Sequence, residues 1–187
     1  MISESSALHS AVFDALCACL ELSSSSTDAS ALIRRAYQEP EPAPQPPRSQ
    51  SVIYYDLQSD SDPVTSYQTP ANENPAASSA IPTVSSFLSY RLLVVCYGPR
   101  AEEYAHRIRS FLYLDGRGYP RQILRAAGIY PVPRPPQPVI LHEEEGSLWR
   151  RRADLTISLR VKDTLQRTGR RFSISDPPAI SIVATPH

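Results

Sequence analysis

A chain of 187 residues, 41% of them apolar, is long enough for one domain with a real core, burying about 70% of its unfolded surface. It holds no apolar run of about 18 residues, which excludes a spanning helix. Residues 1–22 lack a basic stretch followed by uninterrupted apolar residues, so no signal peptide and no export to an oxidising compartment are expected.

Residues 4–22 read as an amphipathic helix. Val12, Phe13, Leu16, Cys17 and Leu20 recur at spacings of three and four, which makes one apolar stripe. Cys17 and Cys19 fall about 200° apart around such a helix, poorly placed for chelation or a disulfide. With Cys96 they read as buried free thiols. The serines at 23–26 end the helix. Residues 31–38 fit a short helix or a strand equally well. Prolines at 40, 42, 44, 46 and 47 then hold the chain extended and bar it from a sheet interior.

Residues 51–57, rich in Val, Ile and Tyr, read as a strand. Residues 60–80 are polar and carry Pro63, Pro70 and Pro75, so they read as a long loop. Residues 84–97 read as the strongest strand, buried on both faces around 92–95. Pro99 suits a first helical turn. Ala101, Tyr104, Ala105, Ile108, Phe111 and Leu112 then repeat with helical period, predicting a helix over 99–114, about 24 Å long. Its candidate core residues are Tyr104, Ile108, Phe111 and Leu112.

Residues 120–127 suit a short helix stopped by Gly128. Residues 132–138 form a second proline stretch, and 139–141 suit a short strand. From 149 to 161, Ala153, Leu155, Ile157, Leu159 and Val161 alternate with Asp154, Thr156, Ser158 and Arg160. That is a half-buried antiparallel strand, with Leu155, Ile157 and Leu159 as core candidates. A turn at 166–169 and a strand over 172–183, interrupted at 176–178, complete the chain. Strands joined by hairpin-like turns beside one main helix predict an α+β fold. The expected architecture is an antiparallel β-sheet with helices packed on one face. It forms a single domain over 1–187, with extended or flexible proline-rich loops near 39–50, 60–80 and 131–138.

The search for chemistry finds no phosphate loop, dinucleotide fingerprint, nucleophile elbow or zinc-protease motif. His142, Glu143, Glu144 and Glu145 are the one cluster with metal-ligand character. Gly146 follows at once, so the cluster reads as a charged loop tip between strands. Catalytic residues, cofactors and metals are all expected to be absent, and the chain is not expected to be an enzyme. The P-x-x-P matches, such as 133–136, read as stiff connections rather than ligands for aromatic grooves.

Formal charge sums to zero but is uneven. Residues 1–90 carry three basic and ten acidic side chains, residues 91–187 sixteen and nine. This −7 and +7 split can be satisfied within one subunit or between subunits. Lys162 is the single lysine, and arginine holds fixed interface geometry better than lysine does. Arg150, Arg151 and Arg152 with Asp154 are therefore the candidate subunit interface, where the basic second half of one copy would meet the acidic first half of the next. On a strand these arginines point alternately to opposite faces, which spreads their charge and argues against a phosphate-binding patch.

The stretch FLSYRLL at 87–93, the helix after it, LWRRRADL at 148–155 with its alternating strand, and LIRRAYQEP at 32–40 together resemble the neck-terminator, or tail-completion, proteins of contractile-tailed bacteriophages. The resemblance covers most of residues 5–183 and rests on element order with short anchors. It implies that 32–40 is a strand, and that the chain is a structural virion protein whose homohexameric rings cap the tail tube and join it to the head. It brings no catalytic residues. The partners it implies are further copies of the chain, tail tube and sheath proteins, and a head–tail connector or stopper protein. Genomic DNA would pass through the pore without sequence-specific binding, and no membrane is involved. The implied location is the virion neck, after assembly in the host cytoplasm. The alternative readings are another connector or stopper component and an unrelated non-viral adaptor. The 60–80 loop and the second proline stretch look like departures from the family.

Overall fold

The computed structural model describes residues 2–36, 47, 49–60, 69–71, 83–114, 118–145 and 148–166. The elements run α1 (Ile2–Cys19), α2 (Thr27–Leu32), β1 (Ile33–Arg35), β2 (Val52–Ser59), β3 (Thr69–Ala71), β4 (Thr83–Tyr97), α3 (Ala101–Tyr113), α4 (Tyr119–Ala126), β5 (Ile129–Pro131), β6 (Val139–Glu145) and β7 (Leu148–Gln166). This is the expected α+β class. The expected last strand at 172–183, the turn at 166–169 beyond Gln166 and most of the first proline stretch lie outside the described residues.

One seven-stranded sheet follows the order β1-β2-β4-β7-β5, with β3 added to β4 and β6 added to β7. All pairings are antiparallel except β1 with β2, which is parallel. The ambiguous stretch at 31–38 turns out to be both of its candidates in succession. Ser26 caps α2 by accepting a hydrogen bond from the Ala29 N–H, and the chain passes from Leu32 straight into β1.

Register sets the core. Ile53 pairs with Cys96, Tyr55 with Val94, and Leu57 with Leu92. Across the other edge of β4, Cys96 meets Ala153, Val94 meets Leu155 and Leu92 meets Ile157. Because side chains alternate along strands, these residues share one face. All but Leu57, which packs against it partly buried, join Val12, Leu16, Ile108, Leu112 and Leu124 from the helices in a single buried cluster. Tyr104, Ile108, Leu112, Leu155, Ile157 and Leu159 are buried, whereas Phe111 is only partly buried against the cluster. Phe111 also lies under the Arg107 guanidinium, 5.8 Å from its ring centre.

β4 corrects the expectation of burial on both faces. Leu92, Val94 and Cys96 are buried, Leu93 and Val95 only partly, and Arg91 is exposed. Helices cover one side of the strand, so its apolar run exceeds what the core uses. The 60–80 stretch also departs from a plain loop, since β3 lies inside it, paired with β4. β5 was not expected. It is three residues long and ends in a proline, a residue tolerated at a sheet edge.

Two tight connections fix the helices. Gly98 has φ +98°, and a β-carbon there would meet Gln50 O and Ser51 Cα at 2.8 Å. Only glycine fits the turn from β4 into α3. Gly128, with φ +72°, closes α4 and accepts a hydrogen bond from Lys162 N–H at 2.8 Å, which lays β5 along β7. Arg107 locks α3 to the end of α1, donating to Cys19 O at 3.2 Å and pairing with Glu21 at 2.6 Å.

Candidate functional site

Alternation along β7 places Arg150, Arg152 and Asp154 on the outer face of the sheet, away from the helices, and Trp149 and Arg151 on the opposite face. β4 stops pairing at Arg152, while β6 pairs with β7 as far as Leu148. Residues 148–150 therefore have β6 as their one strand neighbour among the described residues. The β6–β7 hairpin projects past the rest of the sheet as a two-stranded arm.

The acidic cluster belongs to this arm. Glu143, Glu144 and Glu145 sit on β6 opposite Arg150, Trp149 and Leu148, which corrects their reading as a loop tip. Glutamate is a weak strand former, but a basic strand lies alongside to pair with it. Among the described residues no group of His, Cys, Asp or Glu is arranged to hold a metal ion. No described helix is long and apolar enough to cross a membrane.

Arg152 is the hub of the outer face. Its Nε donates to Asp154 Oδ1 at 2.7 Å and a terminal nitrogen donates to Oδ2 at 2.8 Å, a two-point fork. Its other terminal nitrogen reaches Glu143 at 3.3 Å. The Asp154 hydrogen bonds push the Arg152 pKa well above the ordinary guanidinium range. Tyr97 lies beneath, with the Arg150 guanidinium 5.0 Å and the Arg152 guanidinium 5.6 Å from its ring centre. Tyr54 meets Tyr97 edge-on at 6.1 Å. Burial raises the Tyr97 phenol pKa, and Arg152 opposes that rise.

The expected interface residues thus divide. Arg150 is buried, Arg152 and Asp154 are engaged with each other, and Arg151 is exposed. The charge split is met in part inside the subunit, by Arg107 with Glu21 and by Arg91 with Asp60 at 3.2 Å. Sequence reasoning missed Tyr54, Tyr97 and Glu143 as members of this cluster. The two-residue spacing of Arg150, Arg152 and Asp154 was the available signal, since it puts all three on one face.

Apolar side chains on the arm remain in water. Val139 is 54% exposed, Ile140 36%, Leu141 41% and Trp149 68%. β6 pairs with β7 alone among the described residues, so its far edge is open. Farther along the outer face, Val132 and residues 134–137 frame an open groove of about 610 Å³ with Asp60, Thr156, Ser158 and Arg160. Arg109 holds this strap through Pro136 O at 2.7 Å.

A family model described as phage neck terminator protein matches residues 6–178. No curated protein matches the chain. The chain belongs to the phage neck terminator family, a structural family of the virion neck.

Proposed function

We propose that this member of the phage neck terminator family forms a ring, hexameric in order, that caps the tail tube of a contractile-tailed particle and joins it to the head. The family match over 6–178 carries the reading. A closed ring of identical subunits needs two different surfaces on each copy. The sheet offers two unlike ends: the three-residue β1 with Arg34 and Arg35, and the acidic and apolar arm of β6 and β7. Contacts within the ring involve the arm. Exposed Arg151 and Trp149 meet the neighbour, while Arg150, Arg152 and Asp154 brace the arm from within its own subunit. Tube and sheath proteins bind on one side of the ring and a connector or stopper protein on the other. DNA passes through without base recognition, which requires no enzymatic centre.

Gold-labelled antibody against the chain tests this on intact particles by electron microscopy. The expected label lies between head and tail, and negative-stain images of purified chain show closed rings. Label at the distal tail tip or inside the head would overturn the proposal.

A further inference from the structure

The open edge of β6 runs from apolar to acidic. Val139, Ile140 and Leu141 are followed by His142, Glu143, Glu144 and Glu145, and residues 139–144 are all exposed. Half of the backbone N–H and C=O groups of such an edge point away from β7, its one partner among the described residues, a template for another strand. The carboxylates restrict what that strand can be. A second β6 laid antiparallel over the full length would set Glu144 against Ile140 and Glu145 against Val139. The complementary strand is basic where β6 is acidic and apolar where β6 is apolar.

The chain contains one such stretch beyond β7: Arg170, Arg171, Phe172, Ser173, Ile174 and Ser175. Laid antiparallel to β6, it sets Arg170 against Glu144, Arg171 against Glu143, Phe172 against His142 and Ile174 against Ile140. Its own subunit cannot supply it in this register. Glu144 lies opposite Trp149, seventeen residues along β7 from Gln166, about 56 Å at strand rise. The four residues from Gln166 to Arg170 reach about 14 Å fully extended. Curvature of β7 that halved the first distance would still leave the segment short.

We propose that residues 170–175 of a second copy of this chain add to the free edge of β6 as an antiparallel strand, so that each subunit clasps the arm of its neighbour. Main-chain hydrogen bonds supply the attachment, and the Arg–Glu pairs select the register. β1 of a second copy is the weaker occupant. It is three residues long, and its Arg34 Nε already donates to Ala31 O.

The test uses the full chain with His142→Cys and Phe172→Cys. Its native thiols do not compete, because Cys17, Cys19 and Cys96 are buried and burial raises them to about 11, 12 and 12. Equal amounts of ¹⁵N-labelled and unlabelled protein are mixed, oxidised mildly and digested, and the disulfide-linked peptides are weighed. The expected product joins the two introduced thiols, one from each position, in heavy–light pairs at the proportion of random mixing. Adding Arg170→Glu and Arg171→Glu abolishes the link, and further adding Glu143→Arg and Glu144→Arg restores it. Links confined to light–light and heavy–heavy pairs, no link, or a link unaffected by the charge reversals would overturn the proposal. Closed rings without the link would overturn strand donation and leave the ring reading standing. The link without rings would do the reverse.

Discussion

β7 is one strand with two environments. From Ala153 to Val161 every second residue is buried under the helices, and the outer-face residues between them carry the polar and charged groups. At Trp149 and Arg151 the helices no longer cover that side, and Trp149 stands 68% exposed on the face that buries Leu155 a few residues later. Alternation alone therefore does not decide burial. The helix layer decides it, and where that layer ends the same pattern offers apolar surface outward.

Three substitutions on the covered side should show the largest stability effects. Ile157→Ala, fully buried between β4 and the helices, should cost about 2–5 kcal/mol in urea denaturation, against a total of about 5–15 kcal/mol. Gly98→Ala combines a left-handed φ with backbone atoms 2.8 Å from the new β-carbon. It should cost about 1–3 kcal/mol, with α3 loosened at its start. Phe111→Ala should cost about 1.5–2.5 kcal/mol, roughly half the fully buried value, because its ring is only partly covered. A loss as large as that of Ile157→Ala would move Phe111 into the core and blur the comparison.

The outer face should respond less. Arg152→Ala removes the fork to Asp154, a pair with side chains 28% and 27% exposed. It should cost about 1 kcal/mol and lose part of that cost at high salt. A double-mutant cycle with Asp154→Ala should return most of the effect as coupling.

His9 supplies a pH probe on the covered side. Burial lowers its pKa, with Arg35 acting in the same direction and Asp56 opposing. The folded chain thus favours neutral His9, and the unfolded chain takes up the proton first as pH falls. The contribution is fully present above the free imidazole value of about 6.5 and is lost as pH falls through the lower folded value. Thermal melts of His9→Gln should lack that part of the acid-side slope. The smallest effect expected on the isolated chain is that of Trp149→Ala, within about 0.5 kcal/mol.

How much of this was legible in the sequence follows the same division. Strict alternation made the core half of β7 readable, and the repeat of Tyr104, Ile108 and Leu112 did the same for α3. Both signals are periodic and local. β5 was not readable, because Ile129–Pro131 is held by its neighbour rather than by its own pattern. β6 was half readable. Val139 to Leu141 has strand composition, but its acidic end becomes strand only by pairing with Arg150 and its neighbours. The fork between Arg152 and Asp154 could have been read from their spacing. The contacts of Tyr97 could not, since they require the register of β4 against β7.

The central claim is that the helix-covered face holds the fold while the arm serves assembly. Thermal melting and sedimentation velocity on one sample of Trp149→Ala with Arg151→Glu test it most directly. The account predicts a melting temperature within a degree or two of the unaltered chain and a marked loss of the oligomer. A variant that melts early and still assembles would contradict it.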